Sequence, residues 1–419
     1  MQLSPQADMQ NQTEPNNSAA KIMQWADHLA TFTAMEGGLL RAYLTPEHKL
    51  AHQQIERWMQ QAQLKTWQDS VGNQWGRKIS ANPTLPTLLI GSHSDTVANA
   101  GKYDGNLGVL LAIEAMQQLI GEELPFHVDI VAFADEEGTR FNTTLIGSSS
   151  VAGCFQQEWL SITDNKGVSM AQAMTEFGLN PVEAGKDQRL REEILAYLEV
   201  HIEQGPVLEN LDLAVGVVTG IAGAKRYQFK LKGMAGHAGT VPSNLRRDAM
   251  CGTAEMISTI EQFAIDHNIV ATVGRCDVFP GAVNVIAGEV HFTLDIRSQC
   301  QTTLENCCET LLQQLEESAK KRQLQLQHEK LYQAKAVLCN DDLQQKWGEV
   351  VEQQTHQSAC FLSSGAGHDA MVMTNITDIA MLFVRCEKGI SHNPREQVTT
   401  EDVAIALDCL IEMVKKLAA

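Results

Sequence analysis

Short apolar runs, each followed by polar side chains, are the main pattern of the chain. Residues 87–90, 127–134 and 195–200 are rich in aliphatic side chains and too short for ordinary helices. Such runs are typical of strands buried on both faces of a parallel sheet. Residues 107–119, between the first two runs, are mostly apolar and predict a helix, and residues 379–384 form a further strand-like run. This alternation indicates an α/β fold.

Helical spacing flanks this strand pattern. Residues 19–32 and 46–63 carry apolar side chains at helical intervals, and Thr45 is placed to cap the second of these helices. A third amphipathic helix runs from Glu401 to the end of the chain. Residues 1–18 are polar throughout, which predicts a disordered tail and neither a signal peptide nor a membrane anchor.

The pattern changes in the middle of the chain, where apolar and polar residues alternate. Tyr227, Phe229 and Leu231 are separated by polar residues, and residues 289–297 alternate in the same way, as in strands with one buried face. The other elements predicted in this region are helices over residues 246–267 and 303–322 and strands over residues 269–279 and from residue 324.

The predicted order in this region is strand, helix, strand, strand, helix, strand. That order is typical of a ferredoxin-like α+β domain, in which helices cover one face of an antiparallel sheet. We therefore expect residues 223–335 to form a domain that is inserted into the first one. The first domain would then consist of residues 19–222 and 336–419.

Composition narrows the class of protein. A chain of 419 residues with 44% hydrophobic content can bury a large core and is long enough for two domains. Its net charge of −19, without a basic stripe, argues against nucleic acid as a partner. No run reaches the roughly 18 apolar residues that a membrane span needs. The ten cysteines contain no CxxC pair, which predicts reduced thiols and a cytoplasmic protein.

The glycine-rich stretch after the first strand carries candidate metal ligands. His93, Asp95 and Asp104 lie between residues 91 and 109, beyond the carboxyl end of that strand. In open α/β sheets, ligands bind at this edge, and imidazole with carboxylate is a donor set that zinc and manganese accept. Alternatively, His93 is a loop residue and the aspartates cap the following helix. Both interpretations are open for this stretch taken alone.

Other strand-like runs end in the same kind of side chain. Glu136 and Glu137 follow the second run, His201 follows the third, and His392 lies in the loop after residues 379–384. Two adjacent glutamates after a buried strand are unusual, because burying a carboxylate without a partner is costly. His201 taken alone also fits a plain loop residue before a Gly-Pro turn.

Taken together, these groups predict a centre with two metal ions. The five candidate ligands are His93, Asp104, Glu137, His201 and His392. Paired metals held about 3.5 to 4 Å apart by a shared carboxylate use such a set and make a water molecule between them more acidic. Glu136 is then placed as the general base. Asp95 is placed to accept a hydrogen bond from His93 and orient its ring.

The blocks that contain these residues resemble a known family. In chain order they are GSHSDTV, YDGNLGV, FADEEGTRF, HIEQGPVLE, GHAGTVP, NVIAGEVHFTLDIR, SGAGHDA and GISHNP. They are similar to those of dinuclear-metal amidohydrolases such as N-carbamoyl-L-amino acid hydrolase, allantoate amidohydrolase and beta-ureidopropionase, in the clan of aminoacylases and metallo-carboxypeptidases. The match runs from about residue 26 to the C-terminus, and Ser94 differs from the larger apolar residue that is common at its position.

The resemblance implies a metallo-aminopeptidase-like catalytic domain with two divalent ions per subunit. The ligands would be His93, Asp104 and His201 for one ion and Asp104, Glu137 and His392 for the other, with Glu136 as the base. Zinc or manganese is expected, and cobalt or nickel would also suit these ligands.

The resemblance also implies how the substrate is held. The implied substrate contacts are Gln204, Asn284, Arg297 and Gly367. His237 would reach the active site of the partner subunit in a homodimer, and the inserted domain would serve as the lid and dimerisation domain. Without the resemblance, Arg297 fits a solvated arginine at a strand end and His237 a loop residue in a glycine turn.

We therefore expect an amidohydrolase that cleaves the ureido C–N bond of an N-carbamoyl-L-amino acid, a small carboxylate. Allantoate is the alternative substrate, because the two activities share nearly every block. An aminopeptidase or deacylase of the same clan is a further alternative. A metal-binding relative without catalysis is disfavoured, because such a protein would not need Glu136.

Overall fold

A computed structural model describes residues 15–419. The predicted tail, residues 1–18, lies outside the described residues as far as residue 14, and residues 15–18 belong to the first helix. The chain divides into two units. Unit 1 comprises the residues up to Thr219, Cys339–Leu362 and His368–Ala419, and unit 2 comprises Gly220–Leu338 and Ser363–Gly367.

The strands and helices are numbered in chain order. The strands are β1 (Lys65–Gln68), β2 (Gln74–Lys78), β3 (Thr87–His93), β4 (His127–Phe133), β5 (Ile194–Ile202), β6 (Val215–Ile221), β7 (Gly223–Lys232), β8 (Gly236–His237), β9 (Val270–Thr272), β10 (Cys276–Phe279), β11 (Val285–Ile286), β12 (Glu289–Ser298), β13 (Gln325–Ala334), β14 (Val337–Leu338), β15 (Phe361–Ser364) and β16 (Ile379–Val384). The helices are α1 (Pro15–Leu29), α2 (Pro46–Gln61), α3 (Asn106–Gln118), α4 (Ile146–Val151), α5 (Met170–Phe177), α6 (Val207–Leu211), α7 (Ala249–His267), α8 (Gln301–Lys321), α9 (Asp341–Thr355), α10 (Ala370–Met373) and α11 (Thr400–Ala418).

Unit 1 is built on a mixed sheet with the strand order β1-β2-β4-β3-β5-β16-β6. The central pairs β4 with β3, β3 with β5, and β5 with β16 are parallel, as the apolar runs predict. All seven residues of β3 and of β4 are buried, because helices cover the sheet. The strand β3 is three residues longer than predicted, so that His93 is its last residue.

The main core of unit 1 lies between this sheet and its helices. Leu88 and Ile130 of the strands share one apolar cluster with Leu110 of α3 and Trp347 of α9. Thr45 caps α2 as predicted, because its side chain accepts a hydrogen bond from the His48 amide. Within residues 15–419, no helix is both long and apolar enough to cross a membrane. All ten cysteines are free thiols.

Unit 2 is an antiparallel sheet with helices on one face. The strand order is β10-β12-β7-β13, with β9 also pairing with β12. The alternating side chains predicted to be buried are buried: Phe229 stacks on Phe292 of the neighbouring strand, with ring centroids 4.8 Å apart. Met256 of α7 and Leu311 of α8 belong to the same cluster, so both helices cover this face. The sequence of elements is therefore the predicted α+β arrangement.

The prediction of one continuous strand over residues 269–279 of unit 2 is wrong. Residues 269–279 form two strands, β9 and β10, rather than one. Thr272 pairs with Asp295 and Cys276 with Phe292, so that three residues on one side face two on β12. One extra residue disrupts the ladder in the manner of a β-bulge, and the apolar pattern does not reveal it.

Candidate metal centre

Three neighbouring strands bring predicted ligands to one edge of the sheet in unit 1. His93 ends β3, Glu136 and Glu137 lie three and four residues after the end of β4, and His201 is the last residue but one of β5. Because these strands are parallel neighbours, their carboxyl ends meet at the same edge. His93 and His201 are almost fully buried, while the two glutamates are partly exposed.

Two loops complete the cluster. Asp104 lies just before α3, where Gly105 has the left-handed φ of +68°. A Cβ at Gly105 would lie 2.4 Å from Nε2 of His93, so only glycine permits this close passage. His392 lies in the loop after β16, also with a positive φ, of +52°, and its side chain is half exposed.

Asp104 is the shared member of the cluster, because its two oxygens face different histidines. Oδ1 lies 3.1 Å from Nε2 of His201 and 3.6 Å from Nε2 of His93. Oδ2 lies 3.1 Å from Nε2 of His392, whose ring nitrogen is also 3.3 Å from Oε1 of Glu137. The predicted ligands thus form two groups that overlap in one carboxylate.

The spacing of these atoms fits divalent metal ions. Donors bound to zinc at 2.0–2.2 Å in a tetrahedron lie about 3.4 Å from one another, close to the separations seen here. Ligand atoms within each group lie within 4.8 Å of one another; the groups are His93, Asp104 and His201, and Asp104, Glu137 and His392. The residues present therefore fit two ions that share Asp104.

The electrostatics of the cluster also favour a cation. Hydrogen bonds to Asp104 and Glu137 raise the pKa of His392 to about 10. Burial would lower the pKa of His93, but its contacts with Asp104 and Asp95 raise it well above the usual value. The cluster therefore holds positive charge beside its carboxylates, and a divalent ion binding there would displace the ring protons.

Asp95 and Glu136 lie beside the cluster. The carboxylate of Asp95 accepts hydrogen bonds from the amide of Glu136 at 2.9 Å and from that of Glu137 at 3.2 Å. Nδ1 of His93 lies nearer to the main-chain oxygen of Asp95, at 3.2 Å, than to its carboxylate, at 3.5 Å. Asp95 thus holds the backbone of the two glutamates as well as the histidine. The sequence analysis did not predict the contacts with the glutamates. Burial raises the pKa of Glu136 well above its usual value.

Gln204 points into the same cluster. Its Nε2 donates a hydrogen bond to Oδ2 of Asp104 at 2.9 Å. Its Oε1 is buried and has no hydrogen-bond partner among the described residues. The amide therefore presents an unused acceptor beside the candidate metal ligands.

The structure adds Arg41, which the sequence analysis missed. Arg41 is 1% exposed and donates hydrogen bonds to the main-chain oxygens of Ser94 and Leu29 and to Oδ1 of Asn106. It therefore ties the segment after His93 to the start of α3. Arg41 stands among the apolar residues of the stretch 39–44, but these neighbours do not reveal which groups its guanidinium binds.

Ser94 also rests against two histidines of α2. Its hydroxyl lies 2.6 Å from Nε2 of His52, which is 3.0 Å from Nε2 of His48. Burial lowers the pKa of His52 to about 3, so both rings are neutral at pH 7. The small Ser94 thus makes room for a buried polar contact.

Four predicted residues lie in unit 2, where His237 and Asn284 are neighbours. His237 pairs with Val285 between β8 and β11, and the amide of Ala238 donates to the main-chain oxygen of Asn284. Both His237 and Asn284 are exposed. Nδ1 of His237 accepts a hydrogen bond from the Gly239 amide at 3.1 Å, which leaves the proton of the neutral ring on Nε2.

Arg297 and Gly367 are also in unit 2. The guanidinium of Arg297 binds the Asp295 carboxylate through Nε at 2.7 Å and Nη2 at 3.0 Å, and Nη1 donates to the main-chain oxygen of Gly365. Asp295, Arg297 and Gly365 line a cavity of about 680 Å³. Gly367, two residues after Gly365, is exposed.

Comparison with known proteins gives consistent results. Residues 89–416 match the model of peptidase family M20/M25/M40. The chain is 39% identical over 385 residues to an N-carbamoyl-L-amino acid amidohydrolase from Geobacillus stearothermophilus, covering 91% of this chain and 94% of that one. It is 37% identical over 403 residues to allantoate deiminase 2 from Glycine max, covering 88% and 83%. A crystal structure of a hydantoinase/carbamoylase family amidase from Burkholderia multivorans superposes with a TM-score of 0.89 at 30% identity, covering 96% and 98%.

Proposed function

Because this chain belongs to peptidase family M20/M25/M40, we propose that it is a metal-dependent amidohydrolase of N-carbamoyl-L-amino acids. The observation that carries this proposal is the position of Asp104 between two groups of ligands, in a chain 39% identical to an N-carbamoyl-L-amino acid amidohydrolase. One water molecule would cleave the ureido C–N bond, and the carbamic acid released would decompose to carbon dioxide and ammonia.

The two groups around Asp104 would hold one divalent ion each, zinc or manganese. His93 and His201 would complete the first group, and Glu137 and His392 the second. When bound, such a pair of ions polarises the substrate carbonyl and makes water more acidic. Neutral imidazoles and ionised carboxylates supply the necessary donors near pH 7.

Glu136 would act as the general base. Burial raises its pKa, which brings the carboxylate closer to the range in which it can both accept and return a proton. The hydrogen bond from its amide to Asp95 holds its backbone beside the ligands. Glu136 would take a proton from water and deliver it to the leaving nitrogen, while Asp95 keeps both Glu136 and His93 in position.

Four residues would hold the substrate. The unused Oε1 of Gln204 can accept a hydrogen bond from a ureido nitrogen. Arg297 already donates to Asp295 and Gly365, so it would bind the substrate carboxylate through its remaining hydrogens on Nη1 and Nη2. Asn284 and Gly367 would supply further polar contacts. Because its proton is on Nε2, His237 can donate to the carbonyl oxygen as negative charge develops there.

We further propose that His237 serves the partner subunit of a homodimer and that unit 2 acts as lid and dimerisation domain. The exposed position of His237 supports this assignment, since the residue has no role in packing unit 2. A cytoplasmic location agrees with the ten free thiols.

Allantoate is the second candidate substrate. The chain is 37% identical to allantoate deiminases over 403 residues, almost as similar as to the carbamoyl amino acid hydrolases. Allantoate also combines a ureido group with a carboxylate, so Gln204 and Arg297 would bind it by the same contacts.

Ammonia release tests the proposal. The purified protein, loaded with manganese or zinc, is assayed with N-carbamoyl-L-amino acids, their D-enantiomers, N-carbamoyl-beta-alanine, allantoate and a dipeptide. We expect ammonia from the L-carbamoyl compounds, none from the D-compounds, and at most about a hundredth of the wild-type rate from the Glu136→Gln variant. Release from allantoate alone would favour the second candidate. Cleavage of the dipeptide without any ureido compound would contradict both.

A further inference from the structure

The side chain of Glu396 links the two loops that carry Asp104 and His392. Glu396 is 1% exposed, although it lies in a polar segment four residues after His392. Its Oε1 accepts hydrogen bonds from the amides of Tyr103 at 2.8 Å and Asp104 at 3.1 Å. Its Oε2 accepts a hydrogen bond from the hydroxyl of Ser391 at 3.0 Å. One carboxylate therefore holds the backbone of one ligand and the neighbour of another.

The loop before Asp104 is packed directly on this carboxylate. A Cβ at Gly101 would lie 2.2 Å from Cδ of Glu396, so no other residue could pass at this point without moving the loop or the glutamate. Glu396 therefore packs closely against the loop of residues 101–104.

Ser391 extends the link to the side chain of Asp104. Its Oγ is 2.9 Å from Oδ2 of Asp104, the oxygen that faces His392, and 3.0 Å from Oε2 of Glu396, so its single proton can be donated to either carboxylate but not to both at once. Nε2 of Gln204 donates to both Ser391 Oγ, at 3.3 Å, and Asp104 Oδ2, at 2.9 Å. The orientation of Asp104 is thus fixed from the side of the second ligand group.

The backbone at His392 needs such support. Its φ of +52° is uncommon for a residue with a side chain. The hydrogen bond from the amide of Glu396 to the main-chain oxygen of Asn393 closes the turn that follows. Glu396 therefore holds the His392 loop through its backbone as well as through Ser391.

We propose that Glu396, with Ser391, is a positioning residue for the ion bound by Asp104, Glu137 and His392. This inference rests on the proposed function. The other ligand group depends less on Glu396, because His93 and His201 are held elsewhere: their Nδ1 atoms contact the main-chain oxygens of Asp95 and Ile202.

Titration of metal-free protein with manganese(II) chloride, followed by calorimetry, tests this assignment. We expect the wild type to bind two ions. Glu396→Ala should bind the ion of His93, Asp104 and His201 nearly as well as the wild type does. It should bind the second ion, that of Asp104, Glu137 and His392, roughly 10–100-fold more weakly, as is found when other partners that orient metal ligands are removed. Glu396→Gln should recover most of this loss, because its amide can accept from the Tyr103 and Asp104 amides and donate to Ser391 Oγ.

Two further variants provide a second test of the assignment and a control. Ser391→Ala removes only a hydroxyl and should lower the affinity for the second ion by about tenfold. This variant keeps the test valid if Glu396→Ala folds poorly. Glu387→Ala is the control, because the side chain of this exposed glutamate of the same segment pairs with Lys388, which is also exposed. It should bind both ions as the wild type does.

Several outcomes would overturn the assignment. These are unchanged binding of the second ion by Glu396→Ala and Ser391→Ala, a Glu396→Gln variant as weak as Glu396→Ala, or equal weakening of both ions together with a lower melting temperature of the metal-free protein. Binding of fewer than two ions by the wild type would instead contradict the proposed metal centre itself.

Discussion

Asp95, Asp104 and His201 of unit 1 are held differently from His237 and Asn284 of unit 2. In unit 1, Asp95, Asp104 and His201 are buried and each is bound by neighbouring groups. In unit 2, His237 and Asn284 are exposed on short strands and loops. The difference shows that the cluster of unit 1 is positioned by its own fold, whereas the polar groups of unit 2 are presented at a surface. Mutations should therefore act differently in the two units.

The strongest test of the cluster in unit 1 is Glu136→Gln. The amide cannot accept and return a proton, so we expect kcat to fall by roughly 10²–10⁴-fold. The backbone contact between Glu136 and Asp95 should remain, because it involves the amide of the main chain. Metal analysis should therefore still find two ions per chain. Near-normal turnover would remove Glu136 from the proposed chemistry.

His237→Ala tests the exposed group of unit 2. Loss of a donor to the developing oxyanion should lower kcat by roughly 10²–10³-fold, without a change in metal content or melting temperature. Mixing this variant with Glu136→Gln under conditions of subunit exchange should restore about a quarter of wild-type activity, because half of the dimers would be mixed and each would hold one complete site. If subunit exchange is demonstrated and activity is still not restored, His237 would belong to the active site of its own subunit.

A pair of arginines compares the two environments through stability. Arg41→Met leaves buried main-chain oxygens of Ser94 and Leu29 without donors, and we expect the free energy of unfolding to fall by about 3 kcal/mol. Arg275→Met in unit 2 removes only an exposed pair with Asp277 and should change it by less than about 0.5 kcal/mol. Denaturant titrations measure both. Similar losses would show that burial is not the deciding difference.

Arg297→Lys should have the smallest effect on the reaction. Lysine keeps the charge but loses the planar fork, so KM for carbamoyl amino acids should rise about tenfold while kcat changes little. Arg275→Lys is the matched control at an exposed position of the same unit. Steady-state kinetics with the carboxylate substrate and its amide would separate the outcomes: Arg297→Lys should affect only the carboxylate. A loss confined to kcat would argue against carboxylate binding.

The same difference between the units explains what the sequence could predict. His93, Glu137 and His201 were placed at one edge because each follows a buried strand, and hydrophobic runs reveal such strands. By contrast, the exposed His237 and the partly buried Arg297 have no signal of their own in the apolar pattern. Only the resemblance to the amidohydrolases singled them out.

The pattern failed most clearly for buried charged residues. Arg41 interrupts a short apolar stretch and Glu396 lies in a polar one, and the apolar pattern predicts burial for neither, yet both are 1% exposed. What makes them buried is contact with loops that are distant along the chain, such as Ser94 for Arg41 and Tyr103 for Glu396. Periodicity records only local neighbours and cannot report such contacts.

The position of Arg41 also bears on how relatives of this protein could exchange segments. The family match begins at residue 89, so a gene fragment limited to residues 89–416 would encode every proposed metal ligand but not Arg41 or His52. Such a fragment would leave the main-chain oxygen and the hydroxyl of Ser94 without the partners that α2 and the segment before it provide. A recombinant that keeps these contacts would therefore need Arg41, His52 and Ser94 together.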